Sequence, residues 1–366
     1  MAKTAPQSQG LPLVSLFILA NLCSLAVDAL HLQLGRSDFS GLVAPFMDPS
    51  DTRMRKHFTG FKGFDEFLAT MLLLFDPIFT GEMPELSLYA FHFTGQMASI
   101  VTLLAVQGLR LGTRKSPTRL ATVWGIVMQG TGYGLTMPIY YLVDLLFSSS
   151  DAQGVGLTDP TRLYAIIPAF ALGFIIPSAL QTLPAPRDLH QILLAAWQPF
   201  PIYFGVLLWV FSNIVKKIAI TGSVGTKKSV TDRNALDHAY GFAIGIGALT
   251  HWVTLGVIVA AAFAPDLFPA GIAERLTLAN VFVPHALRYY GPATVASAML
   301  QFLHYDQYIG AAAGLVWAAT LAKRAGVWSP NKKGIRRILR DVLVLGPPSA
   351  VISLLRSRDE AVLGSQ

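Results

Sequence analysis

Charge is what this chain has least of. Asp, Glu, Lys and Arg make up 13% of its 366 residues, whereas soluble domains carry about 25%. A surface this poor in charge excludes a soluble enzyme. Cysteine is limited to Cys23, so an intrachain disulfide and a cysteine-built metal site are ruled out arithmetically. GxxxxGK[ST], GxGxxG and HExxH are all missing, which takes away nucleotide-driven and zinc-dependent chemistry. No DDxxD, DxDD or NDxxD spacing offers several carboxylates to Mg2+ and a diphosphate. The eight histidines are scattered singly, without the clusters that membrane di-iron enzymes require. No internal repeat is visible either, which weakens transporter readings built on duplicated halves.

What is present is apolar. Hydrophobic residues reach 53% and the mean hydropathy is +0.50. Runs able to cross a bilayer, roughly 17 to 25 residues, can be drawn at 11–30, 64–80, 86–109, 120–147, 163–183, 189–215, 237–263 and 294–322. They predict an all-α, polytopic integral membrane bundle of about eight transmembrane helices. One transmembrane domain, 11–355, then stands between tails at 1–10 and 356–366. The segment 342–355 is short and broken by Gly346-Pro347-Pro348, and reads as dipping into the membrane without crossing. The first run is longer than a signal-peptide h-region, and Asp28 suits a cleavage site poorly, so it reads as a retained helix.

The net charge of +7 is distributed in loops rather than on a basic face, which points to lipid headgroups and not to nucleic acid. Basic loops at 53–62, 110–119, 216–233 and 323–340 would all lie in the cytosol under the positive-inside rule. Three runs separate the second from the third, however, so either one run is misdrawn or one loop is lumenal.

Carboxylates inside apolar runs are functional candidates by default, because inserting one costs roughly 2.5–3.5 kcal/mol. Asp28 lies near a run end and reads as interfacial. Asp76 precedes Pro77, which opens the helix; it either faces a cavity or caps the end, with Glu82 and Glu85 in the turn beyond. Gln129, Tyr133, Thr136, Tyr140 and Asp144 form a polar stripe along the fourth run, and Tyr89, His92 and Gln96 form another along the third. Each stripe is a substrate-lining face or a hydrogen-bonded seam. The densest cluster is Gln301 to Tyr308, where Asp306 is either paired with His304 or a loop arginine, or kept protonated by apolar surroundings. Trp197-Gln198-Pro199-Phe200-Pro201-Ile202-Tyr203 breaks the sixth run among aromatics. In the seventh, Gly241, Gly245 and Gly247 allow close helix approach, and His251-Trp252 follows.

Several of these segments occur together in a telling order. Phe75-Asp76-Pro77, Pro84-Glu85-Leu86-Ser87-Leu88 and Phe91 to Gln96 come first, followed by Phe174 to Ser178 and Leu183 to Pro186. Trp197 to Pro201, Tyr305-Asp306 with Ile309-Gly310 and Trp317, and Leu345-Gly346-Pro347 complete the set. The chain thereby resembles the fungal membrane-bound terpene cyclases of meroterpenoid pathways, of the macrophorin, ascochlorin and ascofuranone branch. That resemblance implies cyclisation of a farnesyl chain attached to an aromatic or quinone-like polyketide, often epoxidised. An acid protonates the terminal epoxide or alkene, and internal double bonds capture the cation. It further implies an endoplasmic-reticulum membrane, no cofactor or metal, and coupling to a prenyltransferase and an epoxidase.

The acid itself is assigned on physical grounds: Asp306 first, Asp76 second, then Glu85 and Asp144. Trp197, Tyr203, Trp252 and Tyr305 are expected to line the cavity, where aromatic faces stabilise a cation; Gln198, His304, His92, Gln96 and Tyr140 are the remaining substrate-contact candidates. The competing readings are a carrier or efflux component for an apolar metabolite, and a helical receptor or scaffold.

Overall fold

A computed structural model describes residues 12–32, 46, 48, 54–149, 152–219, 228–287 and 294–365. Every regular element in them is helical, as expected where lipid leaves backbone polar groups to be satisfied within the segment. The elements are α1 Leu13–Ala26, continued by a π-turn Val27–Leu32, then α2 Lys62–Phe75, α3 Pro84–Gly108, α4 Ala121–Thr131 and α5 Tyr133–Phe147. After them come the proline-interrupted run α6 Pro160–Leu180, α7 Arg187–Trp197, α8 Phe200–Ala219 and α9 Lys228–Phe263. The last three are α10 Val295–Arg324, α11 Lys332–Leu345 and α12 Pro347–Gly364.

Five stretches among the described residues are long and apolar enough to cross a membrane: Leu13–Leu30, α3, α6, Phe200–Ile218 and α9. The α10 helix exceeds α3 in length but is less apolar, because His304, Asp306 and Gln307 are buried inside the bundle rather than turned to lipid. The core is built by α3 against α9 and by α10 against α5 and α12, with α1, α6 and α8 outside them.

The fourth predicted run does not cross. It breaks at Gly132, whose φ of 89° belongs to the left-handed half of backbone space that glycine tolerates best, and α5 then folds back along α4. Thr131 and Thr136 hydroxyls lie 2.7 Å apart at the tip, the rings of Trp124 and Tyr140 sit 5.2 Å apart, and Thr118 reaches Asp144 and Ser148 at the base. The stripe from Gln129 to Asp144 is therefore split between two legs of a re-entrant hairpin.

The parity problem closes with this correction. Leu111 N donates to Gly156 O, Lys216 pairs with Asp159 at 2.6 Å, and Lys228 Nζ donates to Leu157 O, so the second and third basic loops share one end of the bundle. The first basic loop does not join them. Arg55 pairs with Asp188 at 2.8 Å and its amide donates to Gln191, which ties it to α7 at the opposite end.

A second hairpin is formed by α11 and α12 around Gly346, as Asp341 meets Ser353 and Arg337 meets Ser357. Gly346 repeats the backbone of Gly132, φ 86° and ψ 157° against 89° and 158°. Both hairpins rise from the basic end, which is held by a buried network. Arg110 contacts Asp359 and Tyr240, Tyr240 OH donates to Asp359 at 2.7 Å, and Arg358 donates to Asp359 at 3.0 Å.

Candidate active site

A helix that starts inside a bundle presents unpaired amides, and these need an acceptor from elsewhere. At the first tip Asp306 of α10 supplies it: Oδ1 accepts the Gly134 amide at 2.7 Å, and the Tyr133 amide also points to this carboxyl. A Cβ at position 132 would run into that oxygen, so glycine there serves both the turn and the approach of the acid. At the second tip the acceptor is Gln96 of α3. Its Oε1 takes the Ser349 amide at 3.1 Å and the Ser349 hydroxyl at 2.9 Å, while Nε2 donates to Gly247 O and Leu345 O. The two tips are thus built alike, but one is capped by an acid and the other by an amide.

Between them runs a buried polar chain. Tyr89 OH donates to Gln307 Oε1 at 2.6 Å, and His92 Nε2 lies 3.1 Å from His251 Nδ1. His251 Nε2 faces the Leu343 carbonyl at 3.0 Å; since a carbonyl only accepts, that nitrogen carries the hydrogen and Nδ1 accepts from His92. His92 Nδ1 is then a bare acceptor, and the Gln307 side chain is the group that meets it.

The other candidates lie elsewhere. His304 and Tyr305 donate to Val281 O and His285 O and, with Tyr308 donating to Phe282 O, hold a segment at the end of the bundle opposite the second and third basic loops. Glu85 is buried at that end with Arg275 at 2.9 Å, its Oε2 without a partner. Asp144 accepts from Trp317 Nε1 at 2.9 Å at the base of the first hairpin, near Tyr140, whose hydroxyl donates to Thr118 O. Asp76 lies 3.8 Å from His190, beside an aromatic group of Phe75, Trp197, Phe174 and Phe200. Gln198 accepts from Gln129 at 2.8 Å, tying the α7–α8 break to α4. Tyr203 and Trp252 face outward, 38% and 56% exposed, with their polar atoms bonded to Ala196 O and Val344 O.

A cavity of about 290 Å³ was not foreseen from the sequence. It is a half-open groove between α3, α4 and α8, lined by Val101, Ala105, Gly125, Met128, Phe200 and Phe204 among others, with Arg119 and Arg162 also on its wall. Gly125 packs on Pro201 and Thr122 on Gly205, so α4 and α8 run antiparallel along it. Gly125, Met128 and Gly132 fall on one face of α4 at i, i+3 and i+7, and the groove therefore points toward the tip that holds Asp306. None of Trp197, Tyr203, Trp252 and Tyr305 lines it. The signal available in the sequence was the run Gly130-Thr131-Gly132-Tyr133-Gly134, too rich in glycine for the middle of a crossing helix. Among the described residues no three His, Cys, Asp or Glu side chains group as metal ligands.

Comparison with known proteins follows the same direction. Residues 9–363 match the profile of the CtvD domain. The chain is 28% identical to terpene cyclase ascI of Acremonium egyptiacum over 94% of its own length and 91% of that protein's. It is 25% identical to terpene cyclase atmA of Aspergillus flavus, over 84% of each chain, and 26% identical to terpene cyclase ctvD of Aspergillus terreus, over 83% of this chain and 86% of that one. No solved structure matches. With nearly its whole length matched by that profile, the chain belongs to the CtvD-domain family, the family of these fungal terpene cyclases.

Proposed function

We propose that this protein is a membrane-bound cyclase that takes a farnesylated aromatic polyketide, epoxidised or not, and closes rings on it by proton-initiated carbocation chemistry. The observation that carries the reading is the Asp306 carboxyl, buried at the tip of a re-entrant hairpin in line with an apolar groove. The farnesyl chain enters laterally from lipid, with the aromatic head toward the basic end and the chain terminus toward Asp306. The acid gives its proton to the epoxide oxygen or the terminal alkene, an internal double bond attacks the resulting cationic carbon, and the last cation loses a proton or is captured by a hydroxyl of the substrate itself, which then loses its proton. Loss of a proton returns what the acid supplied, so substrate and product are isomers.

No diphosphate leaves in such a reaction, in keeping with a chain that has no aspartate-rich motif. The relatives named terpene cyclases support the cyclisation, and the apolar helices support a membrane setting, for which we assign the endoplasmic reticulum. A prenyltransferase and an epoxidase would supply the substrate.

The test is to incubate microsomes containing the protein with a farnesylated, terminally epoxidised phenol and search for a product of equal mass. A cyclised isomer that disappears with Asp306→Asn is the expected result. Unchanged substrate across a panel of prenylated phenols would favour a carrier for apolar metabolites instead.

A further inference from the structure

The basic end of the groove carries more charge than an acyl slot needs. Arg119 closes the turn Pro117–Arg119 that precedes α4; its guanidinium donates to Arg114 O at 3.0 Å and has no carboxylate partner among the described residues. Arg162, at the start of α6, is paired through its Nε with Asp159 at 3.3 Å. Asp159 is itself taken by Lys216 at 2.6 Å. Arg162 and Lys216 therefore share one carboxylate, Arg119 is paired with none among the described residues, and the two arginines both line the cavity.

The groove follows α4 from Ala121 to Met128, roughly 10 Å at helical rise, and Gly132 at the tip lies about 6 Å farther along the helix. An extended farnesyl chain, about twelve bonds in zigzag, spans roughly 15 Å. With its head at the level of the arginines, such a chain is long enough to reach through the groove to the Asp306 tip.

We infer that Arg119 and Arg162 form a subsite for an anionic head on the aromatic part of the substrate, a carboxylate or an ionised phenol ortho to the prenyl chain. Guanidinium groups suit this because their planar donors match paired oxygens. The subsite fixes which end of the substrate enters and places its far terminus at the acid. It rests on the cyclase reading and adds the substrate class to it.

The test uses the full-length protein in phosphatidylcholine nanodiscs with two substrates, a farnesylated, terminally epoxidised benzoic acid and its methyl ester. The wild type is expected to show a KM about tenfold lower for the acid, as a charge-assisted pair would give. Arg119→Gln and Arg162→Gln should each cut that preference to about threefold or less. Arg119→Lys should keep part of it, and Arg114→Gln, on the same loop but off the groove, should keep all of it. Equal KM values for acid and ester in the wild type, or a preference that survives both Gln substitutions, would overturn the inference.

Binding of the tritiated, non-epoxidised acid separates this from the chemistry. Arg119-dependent binding of this acid, with no cyclised product from the epoxidised acid either, would sink the cyclase reading and leave the subsite standing. Displacement of the labelled acid by phosphatidylserine doped into the nanodisc would make the groove a lipid site and overturn the subsite.

Discussion

In the proposed reaction Asp306 is the acid, and its environment defines what a substitution tests. Asparagine keeps the size and can still accept the Gly134 amide through its carbonyl oxygen, so the hairpin tip should survive Asp306→Asn. The transferable proton is lost, and turnover should fall by about 10²–10⁴-fold, the range for a general acid. Product formation per unit of folded protein, measured beside membrane expression, checks this; near-normal turnover would pass the role to Asp76. Asp159 offers a second test at this scale. Burial works to raise its pKa, but hydrogen bonds from Lys216 and Thr161 and the charges of Lys216 and Arg162 outweigh it and hold the carboxyl below the usual range. A depressed carboxyl stabilises the fold above its unfolded value of about 3.9, and that contribution disappears as pH falls through the folded value. The gap in Tm between wild type and Asp159→Asn should be widest near neutral pH and close under acid conditions.

The re-entrant hairpins set depth. Each begins at the basic end, stops inside the bundle, and starts its return leg with a helix N-terminus whose amides are met by a side chain from another helix. Amide ends of half-helices placed at membrane depth are where polar groups gather in many transporters; here they hold an acid and a glutamine. The α4–α5 topology is directly testable. In a Cys23→Ser background, Lys115→Cys and Ser149→Cys should react with a membrane-impermeant maleimide from the same side of sealed vesicles, because both lie exposed at the base of one hairpin. Labelling from opposite sides would restore a crossing helix at 120–147.

The whole molecule is locked at its basic end and half-open along its groove. The Arg110 and Asp359 side chains are each 3% exposed, and removing the carboxylate from such a network leaves buried positive charge uncompensated. Asp359→Leu, which takes the carboxylate from both Arg110 and Arg358, should cost about 3–5 kcal/mol, read as a fall in detergent-solubilised Tm. Activity should require membrane or detergent and persist in EDTA, since the proposed reaction ionises no diphosphate. Activity that vanished on chelation and returned with Mg2+ would refute proton-only initiation.

Composition alone determined that this is a membrane helix bundle. A chain with half the usual charge has no other way to satisfy its surface, and long apolar runs fold as helices because lipid offers no partner for the backbone. The same logic singled out Asp306 in its aromatic cluster, and Gln96 and His92 in their stripe. What sequence could not decide was which runs cross. Hydropathy measures the transfer of each residue, not the direction of the chain, so the re-entrant pair α4–α5 scored as one long span until Gly132 turned it. Nor could it tell inward aromatics from outward ones: Trp252 and Tyr203 are as apolar as Trp197 but face away from the bundle. The groove itself exists only where α3, α4 and α8 fail to pack completely, and a gap between helices distant in sequence is a property of tertiary structure alone.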